Sequence, residues 1–448
     1  MPNSLFASFL QVLEEFRFAL TSPSVGNMLV VACGWIQTVG QHAVTEALVI
    51  TGVAGPRHHE AFHRFFSRGT WSPDDLGYWM FRRLTRLLGD GVLQVVLDDT
   101  VAPKKGAHVF GIGSHLDAVR STRRHRVFCF GHCWVVLSVL LRVPFSRRTW
   151  ALPVLFRLYR NFRECTKHGA VYAKKTELGR QMLDVLVSWV GERRVEVAAD
   201  SAYCNDTVTR GLPPSVVLFG AMRPDAVLTE LPAARVQGAE GRPCKRGRTL
   251  PKPQQIAADG RRPWKSCKAQ LYGRMTTVAY KTFCAQWYRA CGTGLLRIVV
   301  VATQQGHVPL RVFFSTDATL DVVRILETYA GRWGIEVFFR EAKQLLGFAD
   351  SSARKEAAVL RVAPFVGLLY TALVVWFLEG ASASPLAAPP LRPWYSHKRG
   401  FCFADILRTA RRAMVGLDVL DPGRNIANLQ KPPTRAPFYA LHPPSMAA

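Results

Sequence analysis

Runs of β-branched residues that end in carboxylates constrain the fold of this chain most. The run GVLQVVLDDT (91–100) is typical of a buried strand and ends with Asp98 and Asp99 close together. Other regular patterns follow: strand candidates at 127–141, 149–157 and 193–203, and a helix candidate at 175–192. The last strand candidate ends near Asp200. This order predicts an α/β fold with acidic side chains at the ends of two strands.

The charge balance indicates a polyanionic partner. The 448 residues are 49% hydrophobic and 20% charged, which is a globular composition with enough apolar material for a core. Lys and Arg number 58 against 32 Asp and Glu, a formal net charge of +26. Because the excess is spread along the chain, it favours a protein that lies along nucleic acid.

The segment VAPFVGLLYTALVVWFL (362–378) carries no charge. Its length is near the lower limit for a transmembrane helix, and a helix buried against a sheet explains it as well. We expect the buried helix and no membrane partner, with a basic membrane-surface protein as the alternative. The ten cysteines are scattered without a CxxC pair, which favours reduced thiols and a cytoplasmic location.

Three other regions have distinct patterns. Residues 1–90 are predicted to be helical, with a possible helix-turn-helix unit near 43–68. Residues 205–315 combine strand patterns with a basic loop at 242–268. A long helix is predicted over 320–347, and the Pro-rich segment 385–393 reads as a linker before a helical C-terminal piece.

The stretch YAGRWGIEVFFREAK (329–343) places one carboxylate among cations. On a helix of 100° per residue, an aromatic, a carboxylate and three basic residues share a face about 80° wide. These residues are Tyr329, Arg332, Glu336, Arg340 and Lys343. Glu341 falls off this face, so we leave it out of the candidate site.

Asp98, Asp200 and Glu336 form a candidate metal-binding set. Two divalent ions clamp the attacking and leaving oxygens in many phosphoryl transfers, and Mg²⁺ prefers oxygen ligands. The cations beside Glu336 would then bind phosphates. Each acid also has an ordinary explanation: Asp98 in a turn before Pro103, Asp200 as a helix N-cap, and Glu336 in an i,i+4 ion pair.

Three blocks resemble the catalytic blocks of DDE transposases from bacterial insertion sequences. The blocks are LDDTVAPKKG, ADSAY and YAGRWGIEVFFREAKQLLGF. The insertion-sequence-four-like branch is similar in having Tyr, Arg, Glu and Lys at set intervals. Here they are Tyr329, two residues, Arg332, three residues, Glu336, six residues and Lys343.

The resemblance implies an RNase H-like α/β core with a β-rich insertion between the second Asp and the Glu, plus helical N- and C-terminal regions. It implies a Mg²⁺-dependent enzyme with two ions per site, for which Mn²⁺ substitutes. Relatives cut transposon inverted-repeat ends in double-stranded DNA, in some cases through a hairpin, and join them to target DNA. They work as homodimers, and the implied location is the bacterial cytoplasm at the nucleoid.

The resemblance also assigns roles to residues. Asp98, Asp200 and Glu336 are the expected catalytic metal ligands, with Asp99 competing for the first position. The expected DNA contacts are Tyr329, Arg332, Arg340, Lys343, Lys104 and Lys105. An aromatic residue of the insertion that holds a flipped base is either Trp264 or Trp287, and each is also a candidate for the core.

The expected organisation has five parts. They are a helical DNA-binding region (1–90), the first part of the catalytic core (91–204), a basic insertion (205–315), the second part of the core (316–384), and a linker with a helical region (385–448). Two alternatives to a transposase stay open. One is a catalytically inactive DNA-binding protein derived from a transposase, and the other is an RNase H-fold nuclease that cuts without joining.

Overall fold

The computed structural model describes most of the chain. The described residues are 2–55, 57–106, 108–117, 120–122, 124–234, 242–302, 310–390, 394 and 400–415. The helices in these ranges are α1 (Pro2–Leu13), α2 (Ser22–Gln37), α3 (Val44–Ile50), α4 (Glu60–Ser67), α5 (Pro73–Leu88), α6 (Phe162–Lys167), α7 (Lys175–Val190), α8 (Asp206–Thr209), α9 (Pro253–Ala258), α10 (Tyr288–Cys291), α11 (Val322–Gly331), α12 (Trp333–Leu345), α13 (Glu356–Leu378) and α14 (Phe403–Met414).

The strands of the described ranges belong to one mixed sheet. They are β1 (Leu93–Pro103), β2 (Gly113–Leu116), β3 (Phe128–Arg142), β4 (Thr149–Tyr159), β5 (Val195–Ala199), β6 (Val216–Met222), β7 (Lys265–Leu271), β8 (Arg274–Gln286), β9 (Leu295–Ala302) and β10 (Leu310–Ser315). Their order is β2-β3-β1-β5-β6-β10-β9-β8-β7, and β4 pairs with β3. The protein is thus a mixed α/β structure with a large sheet and helices.

The parallel part of the sheet is short and lies at its centre. β5 pairs in parallel with β1 on one side and with β6 on the other. The remaining neighbours are antiparallel. All five residues of β5 are buried, as expected for a strand covered on both faces. The strands that follow residue 205 extend this same sheet, from β6 outward to β7.

β1 is longer than the sequence indicated. The carboxylates were expected at a strand end, but the strand continues to Pro103 and pairs with β3 over this length. Asp98 and Asp99 therefore lie within β1, and because side chains alternate along a strand they point to opposite faces. The turn that would have explained Asp98 is not formed there.

The apolar segment 362–378 belongs to α13, a helix of the core. α13 is long and apolar enough to cross a membrane by length and composition, but 89% of its most apolar window is buried inside the protein. It packs on β4, α5 and α1. Gly367 permits this contact, because a Cβ atom there would lie 2.3 Å from the ring of Phe156.

The predicted helix over 320–347 is divided in two at Arg332. The backbone N–H of Arg332 donates to Tyr329 O, three residues back, so the α-helical hydrogen-bond ladder is interrupted at this point. Gly334 follows at once and brings α12 against β4. A Cβ atom at Gly334 would lie 2.9 Å from Thr149 O, so only glycine fits this contact without a shift.

Parts of two predicted regions lie outside the described residues. These are residues 235–241 and 303–309 of the region 205–315, and residues 391–393, 395–399 and 416–448 of the region 385–448. Within the described part of the latter, α14 packs on α1, α2 and α13. The five helices α1 to α5 occupy the region 1–90.

Gly367→Ala is expected to lower the free energy of unfolding by about 1–3 kcal/mol, because the added methyl group overpacks the contact with Phe156. Gly26→Ala in α2 is the matched control, since nothing lies within 4 Å of a Cβ atom there. The control should stabilise the protein by up to about 1 kcal/mol through helix propensity. Urea unfolding of both variants measures the difference, and equal effects would contradict the packing argument.

Candidate active site

Asp98 and Asp200 lie side by side because β1 and β5 are parallel neighbours. The last paired positions are Leu97 and Ala199, and each acid is the next residue of its strand segment. Asp200 precedes a short 3-10 helix (Ser201–Tyr203), and its side chain makes no capping hydrogen bond. The N-cap explanation for Asp200 therefore does not hold in this structure.

Glu336 is joined to Asp98 through the guanidinium of Arg332. Nη1 of Arg332 donates to Oδ2 of Asp98 at 2.8 Å, and Nη2 donates to Oε1 of Glu336 at 2.5 Å. The i,i+4 pair proposed as the ordinary explanation for Glu336 is thus formed, but it includes a second carboxylate from the sheet. Arg332 is 15% exposed, and its Nε is buried with no partner among the described residues.

The pKa of Asp98 reflects this crowded position. Burial raises the pKa of Asp98 from 3.8 to about 7, and the charges of Asp99 and Asp200 act in the same direction. The positive charge of Arg332 and the backbone N–H of Asp99 oppose this shift by favouring the carboxylate. Asp98 is therefore the acid of the set whose charge is hardest to maintain without a nearby cation.

Asp99 binds partners on the opposite face of β1. Oδ1 accepts a hydrogen bond from the hydroxyl of Tyr203 at 2.8 Å, and Oδ2 accepts one from Nζ of Lys175 at 2.5 Å. The thiol of Cys133 lies 3.4 Å from Oδ2. The contact of Asp98 with Arg332 and Glu336 makes Asp98, and not Asp99, the candidate for the acidic set.

Two of the predicted DNA-binding lysines are bonded within the protein. Nζ of Lys343 donates to Thr100 Oγ1 at 2.6 Å and to Val101 O at 2.7 Å, which ties α12 to β1. Nζ of Lys104 donates to two backbone carbonyls in the segment after α12, and burial lowers the pKa of Lys104 to about 8. By contrast, Lys105 and Arg340 are exposed.

The predicted aromatic residues have different surroundings. Tyr329 is partly buried, its ring centroid lies 4.7 Å from that of Phe313, and burial raises its pKa to about 12. Trp287 meets the ring of Phe314 edge-on in the core of the extended sheet. Trp264 is 40% exposed, and the ammonium of Lys281 lies 4.9 Å from its ring centroid.

An exposed aromatic pair close to Arg332 was missed in the sequence. Trp333 is 39% exposed and follows Arg332 directly, and Tyr272 at the tip of the β7–β8 hairpin is 58% exposed. Their rings meet edge-on at 6.1 Å. The hairpin is held in place by Gln270 N, which donates to Glu327 Oε1 at 2.8 Å. The dipeptide Tyr272-Gly273 was the available signal, because both residues have positive φ as a tight hairpin turn requires.

Glu341 has a structural environment, separate from the acidic set. Nη2 of Arg148 donates to both of its carboxylate oxygens at 2.9 Å, and Tyr370 donates to Oε2 at 2.8 Å. The Arg148 guanidinium lies 3.8 Å from the centroid of the Trp150 ring. This buried network connects α12 to β4 and α13.

The acidic set has suitable donors for a metal ion but is not arranged to hold one here. Asp98, Asp200 and Glu336 supply carboxylate oxygens, which hard divalent ions prefer. Within the described residues, however, no group of three or more Asp, Glu, His or Cys side chains is close enough to bind a metal. Arg332 lies between Asp98 and Glu336 and provides the positive charge that a metal would bring.

The chain was compared with known proteins. Residues 27–286 match the family model described as DDE superfamily endonuclease, which covers more than half of the chain. The match includes Asp98 and Asp200 and ends before α12. No curated protein matches the chain.

Asp98→Asn is expected to change how stability depends on pH. Because folding raises the pKa of Asp98 from 3.8 to about 7, its contribution to stability is complete below the lower value and is lost as pH rises toward the upper one. The free energy of unfolding of the wild type should fall relative to that of Asp98→Asn across this window, by at most about 4 kcal/mol.

Urea unfolding at a series of pH values measures this difference. Asp184→Asn, at a 54% exposed side chain on α7, is the control and should follow the wild type. Parallel curves for Asp98→Asn and the wild type would contradict the raised pKa.

Proposed function

This chain belongs to the DDE superfamily of endonucleases, and on that premise we propose that it is a DNA transposase that cleaves insertion-sequence ends and joins them to target DNA. The observation that carries the proposal is the meeting of Asp98, Arg332 and Glu336 beside Asp200. These side chains come from β1, α12 and the end of β5, which are far apart in the sequence.

The topology around the acids supports an RNase H-like core. The first acid lies on a central strand with antiparallel β3 and β4 on one side and parallel β5 on the other. The second acid follows β5, and the glutamate lies on a helix that packs on β1 and β4. The strands β7 to β10 occupy the chain between the second acid and the glutamate, where the resemblance implies an insertion.

Family membership implies DNA as the substrate, and the surface near the acids suits it. Arg340 and Lys105 are exposed cations able to bind phosphates. Trp333 and Tyr272 present aromatic surface beside Arg332, where they would stack on bases. We assign the base-holding role to this pair ahead of Trp264 and Trp287, because Trp333 adjoins the acidic set in the chain.

DDE endonucleases generally use divalent metal ions, and we propose two Mg²⁺ ions held by Asp98, Asp200 and Glu336. Such ions stabilise the attacking and leaving oxygens of a phosphoryl transfer. In this structure Arg332 binds two of the three acids. Its guanidinium matches the geometry of a phosphate oxygen pair, so a DNA phosphate competes with the carboxylates for it. We infer that DNA binding draws Arg332 away from the acids.

The spacing of Tyr329, Arg332, Glu336 and Lys343 is the reason to propose a transposase of the insertion-sequence-four-like branch over a nuclease that only cuts. Lys343 would then act indirectly, because its ammonium holds α12 against β1 and so fixes the height of Glu336 along the strand. We further propose that the enzyme acts as a homodimer on two inverted-repeat ends in the bacterial cytoplasm.

Asp200→Asn and Glu336→Gln are expected to reduce DNA cleavage at least ~10³-fold while DNA binding persists, because each removes a carboxylate but not the fold. The substrate is a duplex carrying the inverted repeats that flank the reading frame, with cleavage followed on gels and binding by mobility shift. Asp184→Asn is the control and should cleave normally. Undiminished cleavage by both variants would overturn the assignment.

A strand-transfer assay separates the transposase from a nuclease on the same core. Pre-cut ends with a free 3′-OH are incubated with plasmid DNA and the wild-type protein. Joined products support the transposase. Cleavage without joining supports the nuclease, and binding with neither activity supports a non-catalytic DNA-binding protein.

Arg332→Gln is expected to tighten Mn²⁺ binding by the DNA-free protein at least ~10-fold, because the guanidinium no longer competes for Asp98 and Glu336. Arg340→Gln removes the same charge from an exposed position on the same helix and serves as the control for long-range electrostatics. Electron paramagnetic resonance measures free Mn²⁺ directly. Equal affinities in Arg332→Gln and Arg340→Gln would show that Arg332 does not compete with the metal.

A further inference from the structure

The hydrogen bonds of Asp99 join the two strand segments that carry Asp98 and Asp200. Asp99 follows Asp98 on β1, and Tyr203 lies three residues after Asp200 in the 3-10 helix. The Tyr203 hydroxyl donates to Asp99 Oδ1 at 2.8 Å. This contact therefore links the neighbours of the two acids on the face of the sheet opposite to Arg332.

The backbone does not provide this link by itself. The pairing of β1 with β5 ends at Leu97 opposite Ala199, and β5 itself ends at Ala199. Asp98 lies one residue beyond the end of that pairing, and Asp200 lies in the segment that turns away into the 3-10 helix. The separation of the two carboxylates thus depends on side chains that hold this segment against β1.

α7 completes the contact from above. Nζ of Lys175, in the first turn of α7, donates to Asp99 Oδ2 at 2.5 Å. One turn later Gly179 leaves room for the ring of Tyr203, because a Cβ atom there would lie 3.2 Å from two ring carbons. Tyr203 is 1% exposed, so its hydroxyl has little access to water as an alternative partner.

We propose that Asp99, Lys175 and Tyr203 form a positioning clamp that sets the spacing of Asp98 and Asp200 for metal binding. The inference rests on the proposed function, because it assigns those acids to a metal site. None of the three clamp residues touches the metal or DNA in this scheme. They act through the backbone of β1 and of the segment after β5.

Removing one member should loosen the spacing without unfolding the protein. Tyr203→Phe deletes the hydroxyl alone and keeps the ring packed beside Gly179. Asp99 then keeps Lys175 as a partner but loses the bond to the segment that carries Asp200. A weaker arrangement of two ligands lowers metal affinity, whereas DNA contacts elsewhere are unaffected.

The chain offers a matched control in Tyr370→Phe. Tyr370, like Tyr203, is 1% exposed and donates at 2.8 Å to a carboxylate that also binds a basic side chain, here Glu341 with Arg148. The two variants delete the same kind of buried hydrogen bond. A purely structural role predicts the same consequences for both.

The test measures Mn²⁺ binding by the protein–DNA complex with electron paramagnetic resonance, together with thermal unfolding and DNA affinity. We expect both variants to lose similar stability and to bind DNA as the wild type does. The Mn²⁺ dissociation constant should rise about tenfold in Tyr203→Phe only, as for the loss of one hydrogen bond. High Mn²⁺ should restore the cleavage rate of Tyr203→Phe, because excess metal offsets weak binding.

Equal Mn²⁺ affinities in Tyr203→Phe and Tyr370→Phe would overturn the clamp and leave Asp99 with a structural role. Weakened Mn²⁺ binding that matches an equal loss in Tyr370→Phe would do the same. A wild-type protein that binds Mn²⁺ with DNA but does not cleave would refute the proposed function, while the comparison of affinities would still decide the clamp.

Discussion

The bidentate contact of Arg332 with Asp98 and Glu336 is the interaction on which the rest of the site depends. It brings a strand residue and a helix residue into one charged cluster and keeps two carboxylates close without a metal. Without it, Asp98 would be a buried acid beside Asp99 and Asp200, and it would remain protonated near neutral pH. The same contact prevents the acids from closing on a metal, so the cluster is poised for exchange of one cation for another.

Two buried networks of the same chemistry hold the elements that carry the acids. Glu341 binds Arg148 and Tyr370 and fixes α12 against β4 and α13. Asp99 binds Lys175 and fixes β1 against α7, with a tyrosine as the second donor. In each network the carboxylate is satisfied by a cation and a hydroxyl, so burying it does not leave an unpaired charge. Acids of identical type thus serve as structural or candidate catalytic groups according to the face they occupy.

Several features were accessible from sequence because they depend on local pattern. Alternation and β-branching predicted the strands around Asp98 and Asp200, and helical spacing separated Glu336 from Glu341. The break at Arg332 was not accessible, since it depends on how Gly334 meets the backbone of β4. For the same reason the sequence suggested one long helix, and it treated the lysine at position 343 as a DNA contact, although its ammonium is bonded to β1.

By itself the sequence determined the order of elements, the α/β class, the three acids and the polyanionic character of the partner. These follow from periodicity, spacing and charge, which are properties of residues close together in the chain. The tertiary structure decided that Asp98 and not Asp99 faces Glu336, and that Arg332 lies between them. It also brought Tyr203 to Asp99 across 104 positions of the chain. Such contacts depend on strand order and on the direction of each side chain, which no local pattern encodes.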